Sequence, residues 1–506
     1  MEIVEKLNII NGFDTDDLKN AKQNNYAWSM AELGDYIYVG TGRNIASSAP
    51  QVIYPGAAAP LLVKSSITDN TAEIWRYKKD GSLPWKRVYK AAEEDMIAGF
   101  RFMITHKAKN STEALYAASF GLGNSGTIIL KSTDGSNWTK VSDNLEGGSS
   151  RSMVSFNGKL YVSTIGTDAF GGEKPLLYCS EDPEFFDFKL IIDVNNKNYI
   201  KEKNPSAGIT DMAVFNNKLY VTVSGDEGME VWRTNSSAVK MNEWTLVVDK
   251  GFGDSMNSHS ISVGVFKNYL YVAAIKQIPL SFIIPMGAEL IRIDKNDNWQ
   301  LIVGGEPIKP SKPTTGIRNK SLSGYKAGFS NPFNLYIWQL KWYNNMLLAS
   351  TFDHGTNIEM LRDIVLLNKD ILVEELGEPI YKIIVTIYTT ILYLFNKYNY
   401  PRGFDLFASF DGIHFKPITL NGFGNGNNYG GRILLVSKDG EDLYIGTANP
   451  YDGCEVLRTI NDDLFINTVY QKDIYYFNDI LKLQNKIDEM IDLLIEELRK
   501  AGKINL

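Results

Sequence analysis

Ser152-Met153-Val154-Ser155-Phe156-Asn157-Gly158-Lys159-Leu160-Tyr161 reads as an apolar strand, an Asn-Gly turn and a second strand that opens on a Leu-Tyr pair. Asn-Gly supplies the positive-φ residues of a tight hairpin. The pair recurs as Ile37-Tyr38, Leu115-Tyr116, Leu219-Tyr220, Leu270-Tyr271, Leu347-Leu348 and Leu443-Tyr444. Turn residues precede it again at Asn216-Asn217, Asn344-Asn345 and Asp439-Gly440. A third strand follows, often Glu-apolar-apolar-Arg, as in Glu73 to Arg76, Glu230 to Arg233, Glu289 to Arg292 and Glu455 to Arg458. After a second turn, such as Asp80-Gly81, Asp134-Gly135 or Asp411-Gly412, a fourth strand opens on Trp85, Trp138, Trp244, Trp299 or Phe415.

Four antiparallel strands repeated seven times predict an all-β, seven-bladed β-propeller, because a sandwich would not repeat one signature. The recurring Glu and Arg are expected to pair within or between blades rather than to do chemistry. The stretch before each new blade reads as an apolar strand and then Gly-Phe, as in Val247 to Phe252 and Ile418 to Phe423. Leu7-Asn8-Ile9-Ile10-Asn11-Gly12-Phe13 repeats it at the N-terminus, so the first strand is expected to complete the last blade and remove the open sheet edge.

Two segments break the repeat. Residues 357–401 fall between the second and third strands of blade six and predict two helices split near Gly377-Glu378-Pro379, a lid or packing element. Their uncharged run, Ile383 to Phe395, is shorter than the roughly 20 residues a bilayer span needs, which leaves weak contact with a membrane surface as the minor reading. Residues 473–506 carry an amphipathic helix with Ile480, Leu483, Ile487, Met490, Ile491, Leu494 and Leu498 on one face. That face is expected to pack on the propeller or the insertion, or to form a dimer contact. The expected organisation is thus a propeller over residues 1–472, an insertion over 357–401 inside it, and the C-terminal helix.

The chain has 506 residues, 44% of them hydrophobic and 22% charged, with a net charge of −7. Without a long basic run, nucleic acid is a poor partner. Met1 to Phe13 lacks a basic stretch followed by an apolar one, and Cys179 and Cys454 are the two cysteines. A reduced, cytoplasmic protein is therefore expected. The histidines, His106, His259, His354 and His414, have no metal-ligand spacing, so no metal or cofactor is expected. Asp14-Thr15-Asp16-Asp17 is a calcium-like run without the rest of a loop, the one candidate for a structural calcium.

The fourth-to-first and second-to-third loops of a propeller share one face. Here the second-to-third loops are apolar: Tyr54 to Val63 in blade one, Ile278 to Pro285 in blade five, and the insertion. They predict either a covered pocket for a small hydrophobic or aromatic ligand or mere packing on one another. Aligning the first strands places Trp28, Arg101, Arg151, Thr210, Trp338 and Arg432 around the channel mouth, with His259 near the equivalent place in blade five. Guanidinium groups there need an anionic partner, from the protein or from a ligand. Asp211 and Tyr429 are their natural polar companions.

Gly422 to Tyr429, Arg432, Leu443 to Asn449 and Gly453 to Arg458 resemble the repeats of a bacterial propeller family that includes the alkylating enzymes of cylindrocyclophane biosynthesis. The resemblance spans nearly the whole chain outside the helical segments. It implies alkylation of an aromatic, resorcinol-like nucleophile or of a carboxylate by an alkyl halide on the top face. By position, Arg101 or Arg43 would assist halide departure, Asp211 would be the acid and Tyr429 the phenol partner. Tyr26, Trp28, Arg43, Arg151, His259, Trp338 and Arg432 would line the substrate site. The calcium-repeat domain that those enzymes resemble having is not evident here. Two other readings stay open. One is a non-catalytic propeller that binds a protein, glycan or lipid. The other is a sialidase-like glycosidase, for which three arginines and the Asp-box-like Ser132-Thr133-Asp134-Gly135-Ser136-Asn137-Trp138 speak.

Overall fold

The computed structural model describes residues 3–45, 69–109, 111–121, 125–166, 172, 174–278, 280–460 and 474–502. The blade-one loop Tyr54 to Val63 lies outside them. Among the described residues the strands form seven antiparallel four-strand meanders. The first contains Asn24–Leu33, Tyr36–Arg43, Glu73–Lys78 and Lys86–Lys90. Five more follow in chain order. The last contains Gly430–Val436, Leu443–Ala448, Val456–Thr459 and the N-terminal Val4–Lys6. Each first strand packs against the first strand of the next meander, and the last packs against the first. The chain is a closed propeller. Its closing strand begins three residues earlier than the sequence suggests, with Val4 opposite Thr459 and Lys6 opposite Leu457.

The Leu-Tyr pairs fill the contacts between blades. Tyr38, Tyr116, Tyr271 and Tyr444 are fully buried, each in a cluster shared by two blades. The third-strand acids are structural. In blade one, Asn24 Nδ2 donates to Gly12 O and Glu73 Oε2, both at 2.9 Å. The equivalent Asn257, Asn334 and Asn428 bond Gly251, Gly328 and Gly422 and the acids Glu289, Asp405 and Glu455. Each knot ties a blade's first strand to its third and to the preceding Gly-Phe turn. In those turns Phe13, Phe252, Phe329 and Phe423 adopt positive φ between 47° and 79°. That is costly for a non-glycine residue, and the knots hold it.

The Glu-Arg arginines also pair as expected, Arg233 with Asp297 of the next blade at 2.7 Å and Arg458 with Glu5. Asp14 spends one carboxylate oxygen on the amides of Asp16 and Asp17 and the other on Asn20, and Asp17 caps the helix Leu18–Gln23. Among the described residues no group of three or more His, Cys, Asp or Glu could hold a metal ion.

The insertion sits between the blade-six strands Met346–Asp353 and Leu406–Ser409. It comprises three helices rather than two, Ile358–Leu367, Lys369–Leu376 and Glu378–Tyr398. The extra break falls at Asn368, whose side chain bonds back to Ile364 O and competes with the helix backbone. The last helix has 21 residues, longer than the uncharged run suggests, and is long and apolar enough to cross a membrane by length and composition. Its inner face, with Ile384, Tyr388, Ile391 and Phe395, is packed inside the fold.

The C-terminal helix Ile474–Lys500 lies against it and contributes Leu483, Ile487, Ile491, Leu494 and Leu498 to the same core. The face offered by sequence for dimerisation is thereby buried within the chain; the Ile480 side chain lies outside the described ones. The blade-five loop joins this core through Ile283 and Ile284. The apolar loops of blades five and six therefore pack on one another and on the C-terminal helix. A cavity of about 280 Å³ remains at that junction, between Met286, Lys276 and Glu289 on one side and Asp488, Ile491 and Ile495 on the other.

Candidate functional site

Every first strand carries a β-bulge at the same depth. The residue skipped by the pairing is Trp28, Arg101, Arg151, Thr210, Trp338 and Arg432 in blades one, two, three, four, six and seven. A bulge frees a side chain from the ladder and re-aims it, so the aligned positions form a ring at the channel mouth. Blade five differs from the sequence alignment. There Ser260 and Ile261 are skipped. His259 stays in the ladder opposite Ile275, two residues after Asn257, as Tyr26 follows Asn24 and Tyr336 follows Asn334. His259 therefore belongs to a second layer with Tyr26 and Tyr336, one step nearer the top face. Tyr336 escaped the sequence reading, although its offset from Asn334 marks it.

The indoles are wedged between blades. A Cβ on Gly99 would stand 2.2 Å from Trp28, and one on Gly430 would stand 2.1 Å from Trp338. The Arg101 guanidinium lies 5.2 Å from the Trp28 ring, and Arg432 lies 5.2 Å from the Trp338 ring. Tyr26 meets Trp28, Trp338 and Tyr429 at 5.7–5.9 Å between centroids, and its hydroxyl bonds that of Tyr429. Phe352, also absent from the sequence reading, packs on Trp338 and Tyr429. Above them stands Phe282 of the blade-five loop, 6.2 Å from Tyr336 and 5.1 Å from His354. It is held through its own carbonyl by His354 Nε2 and by a bond from Tyr388 of the insertion to Ile283 O.

Arg43 is not part of this cluster. Its buried guanidinium donates to Asn20 O and Asn24 Oδ1 and pairs with Asp69 at 2.9 Å, which makes it a brace for the blade-one knot. The other residues expected at the site, Tyr26, Trp28, Arg101, Arg151, Asp211, His259, Trp338, Tyr429 and Arg432, lie in the first strands or beside them.

The electrostatics of the mouth are unbalanced. Burial, reinforced by Arg101, pulls the Arg432 guanidinium down to about 9. Burial also pulls Arg101 down to about 10, against the Tyr336 and Tyr26 hydroxyls. Both remain cationic at neutral pH. Arg432 is 8% exposed, and its buried Nε has no hydrogen-bond partner. Arg101 donates to Ser149 Oγ at 2.9 Å. The nearby carboxyl is Asp211, pushed up to about 7 by burial although the amides of Met212 and Val263 bond it at 2.8 and 2.9 Å. Burial, with Arg151 beside it, lowers His259 to about 4, so its imidazole is neutral. The Tyr336 hydroxyl is buried without a partner, and burial pushes Tyr26 up to about 12.

The Asp-box-like turn is structural. Asp134 accepts the amides of Ser136 and Asn137, and Asp411 does the same for Ile413 and His414. No family model matches the chain, and no curated protein does. Among solved structures, Sqt1 of Saccharomyces cerevisiae is similar over 87% of this chain and 97% of that one, at 9% identity and TM-score 0.42. The GH74 enzyme of Niastella koreensis covers 88% and 67%, at 11% and 0.35. Trypanosoma rangeli sialidase covers 69% and 56%, at 10% and 0.34. At these identities and scores they carry no argument about activity, and the fold stands on the strand pairings above.

Proposed function

We propose that the channel mouth is a small-molecule site for an anion carried on, or released from, an aromatic or apolar body. The observation that carries this reading is Arg432, a largely buried cation with an indole on one side and a buried Nε that has no hydrogen-bond partner. A buried guanidinium without a hydrogen-bonded counter-ion is costly. Asp211 acts on Arg432 only through space, and a bound carboxylate or halide would offset that cost through charge-assisted bonds. The walls are aromatic, which suits a planar or aliphatic body.

The activity that this reading serves is alkylation of a resorcinol-like or carboxylate nucleophile by an alkyl halide. Arg101 and Arg432 would stabilise the departing halide in a poorly hydrated site. Asp211, poised at about 7, would take the phenol proton at working pH. Tyr429, coupled to Tyr26, would orient the phenol oxygen. The phenolate's ring carbon, or a carboxylate oxygen, bonds the alkyl carbon, and the carbon–halogen bond breaks with its electron pair going to the halide. For the phenol, Asp211 holds the hydroxyl proton, and after attack by carbon the ring C–H proton moves to the phenol oxygen to restore the arene. The same site without turnover would make a binding protein.

Mass spectrometry after incubation with a resorcinol and a secondary alkyl halide tests the activity; tryptophan fluorescence during titration with benzoate tests the site. Product of summed mass minus HX, lost in Arg101→Ala and Arg432→Met, is the expected result. Benzoate binding without product would leave the binding reading in place. Neither, with a folded protein, would remove both.

A further inference from the structure

Below the arginine ring, the first and second strands of the blades pair in one common register. In six blades a second-strand tyrosine (Tyr38, Tyr116, Tyr161, Tyr220, Tyr271 or Tyr444) faces an Ala, Ile, Val, Gly or Leu of the first strand. Blade six departs from this on both strands. Its second strand has Leu348 in place of tyrosine, and the first-strand residue opposite is Lys341. This layer of the channel is thus apolar except for one amine.

Lys341 makes no hydrogen bond or ion pair among the described residues, in contrast to the buried Lys276, which pairs with Asp254 at 2.7 Å. Its side chain is partly exposed. The next residue, Trp342, is 60% exposed at the end of the strand away from the arginine ring, so the amine lies close to the bottom opening. Burial pulls the ammonium below its usual range, and no charged group contributes to the shift. An ammonium in apolar surroundings without a counter-ion tends to give up its proton. The neutral amine then has a free lone pair, the property that distinguishes a nucleophilic lysine from a surface one.

We propose that Lys341 presents a nucleophilic amine to the lower channel and captures an aldehyde-bearing ligand as an imine. The Nζ lone pair attacks the carbonyl carbon. The carbonyl oxygen collects two protons and leaves as water, and a carbon–nitrogen double bond remains. No oxidant or reductant is needed. The mouth site takes no part in this step, so the two readings stand or fall separately.

The test uses the full chain at pH 7 with limiting propanal and sodium cyanoborohydride, which fixes any imine as a secondary amine, followed by peptide mapping. Lys341 is expected to be modified faster than the exposed Lys197, because burial raises the neutral fraction of its amine. Lys341→Met, with unchanged circular dichroism, is expected to lose the fast site. Modification of Lys341 no faster than Lys197 would overturn the proposal, and so would a fast site that persists in the variant. Should the variant fail to fold, the wild-type rate comparison decides alone.

Discussion

Two sets of buried charges share the same first strands, and they are treated in opposite ways. The knots of blades one, five, six and seven repeat one chemistry, an asparagine, a glycine carbonyl and an acid, and both oxygens of Glu73, Glu289 and Glu455 are engaged. In blade five Glu289 accepts from Asn257, receives both Arg318 nitrogens at 2.7 and 3.0 Å, and faces Lys276. Four residues further along, the bulge ring changes chemistry from blade to blade, and its cations have few bonds. The charge-paired, repeated layer holds the ring of blades together. The unsatisfied, varied layer is where a ligand has something to add.

Three substitutions would break or sharpen this contrast. Glu289→Gln should have the largest effect, about 3 kcal/mol of stability by chemical denaturation, because it leaves Arg318 without its buried counter-ion while Lys276 keeps Asp254. Asp211 should show itself in pH dependence. Its folded-state value of about 7 lies above the unfolded carboxyl value. Between roughly pH 4 and 7 the folded protein therefore binds more protons, and stability falls as pH rises through that window. Asp211→Asn should remove a slope approaching about 1.4 kcal/mol per pH unit, read as the difference between the two proteins' denaturation midpoints. Arg432→Met should have the smallest effect, within about 1 kcal/mol or slightly stabilising, since an uncompensated charge is replaced by an apolar group of similar length. A loss as large as that of Glu289→Gln would place Arg432 among the structural charges and remove the basis of the mouth site.

The bulge ring was legible in sequence at six of seven positions, because the Gly-Phe turn and the Leu-Tyr pair bracket each first strand closely enough to fix its register. Blade five was misread at His259, although Ile261 stands four residues after Asn257 and ten before Tyr271, the spacing that Trp28 keeps from Asn24 and Tyr38. An aliphatic residue at that place carries no chemical signal, and the nearby imidazole drew the assignment. Arg43 misled for another reason. An arginine at a strand end looks the same in sequence whether it faces a ligand or, as here, Asn20, Asn24 and Asp69. Phe282 and Phe352 could not be assigned to the mouth from the repeat, since Phe282 reaches it through the packing of a loop against the insertion. The third insertion helix was hidden because Asn368 is an ordinary helix residue until its side chain takes a backbone carbonyl.

The three-residue strand Val4–Lys6 has its partner in Val456–Thr459. During synthesis the strand Val4–Lys6 therefore emerges without a mate and waits until Val456–Thr459 has been made. Six blades can form in order from local hairpins, but the seventh joins two segments that lie far apart in sequence. Contacts of such separation are slow to form. Closure is thus the step at which a folding chain is most exposed to pairing with a neighbouring molecule instead of with itself.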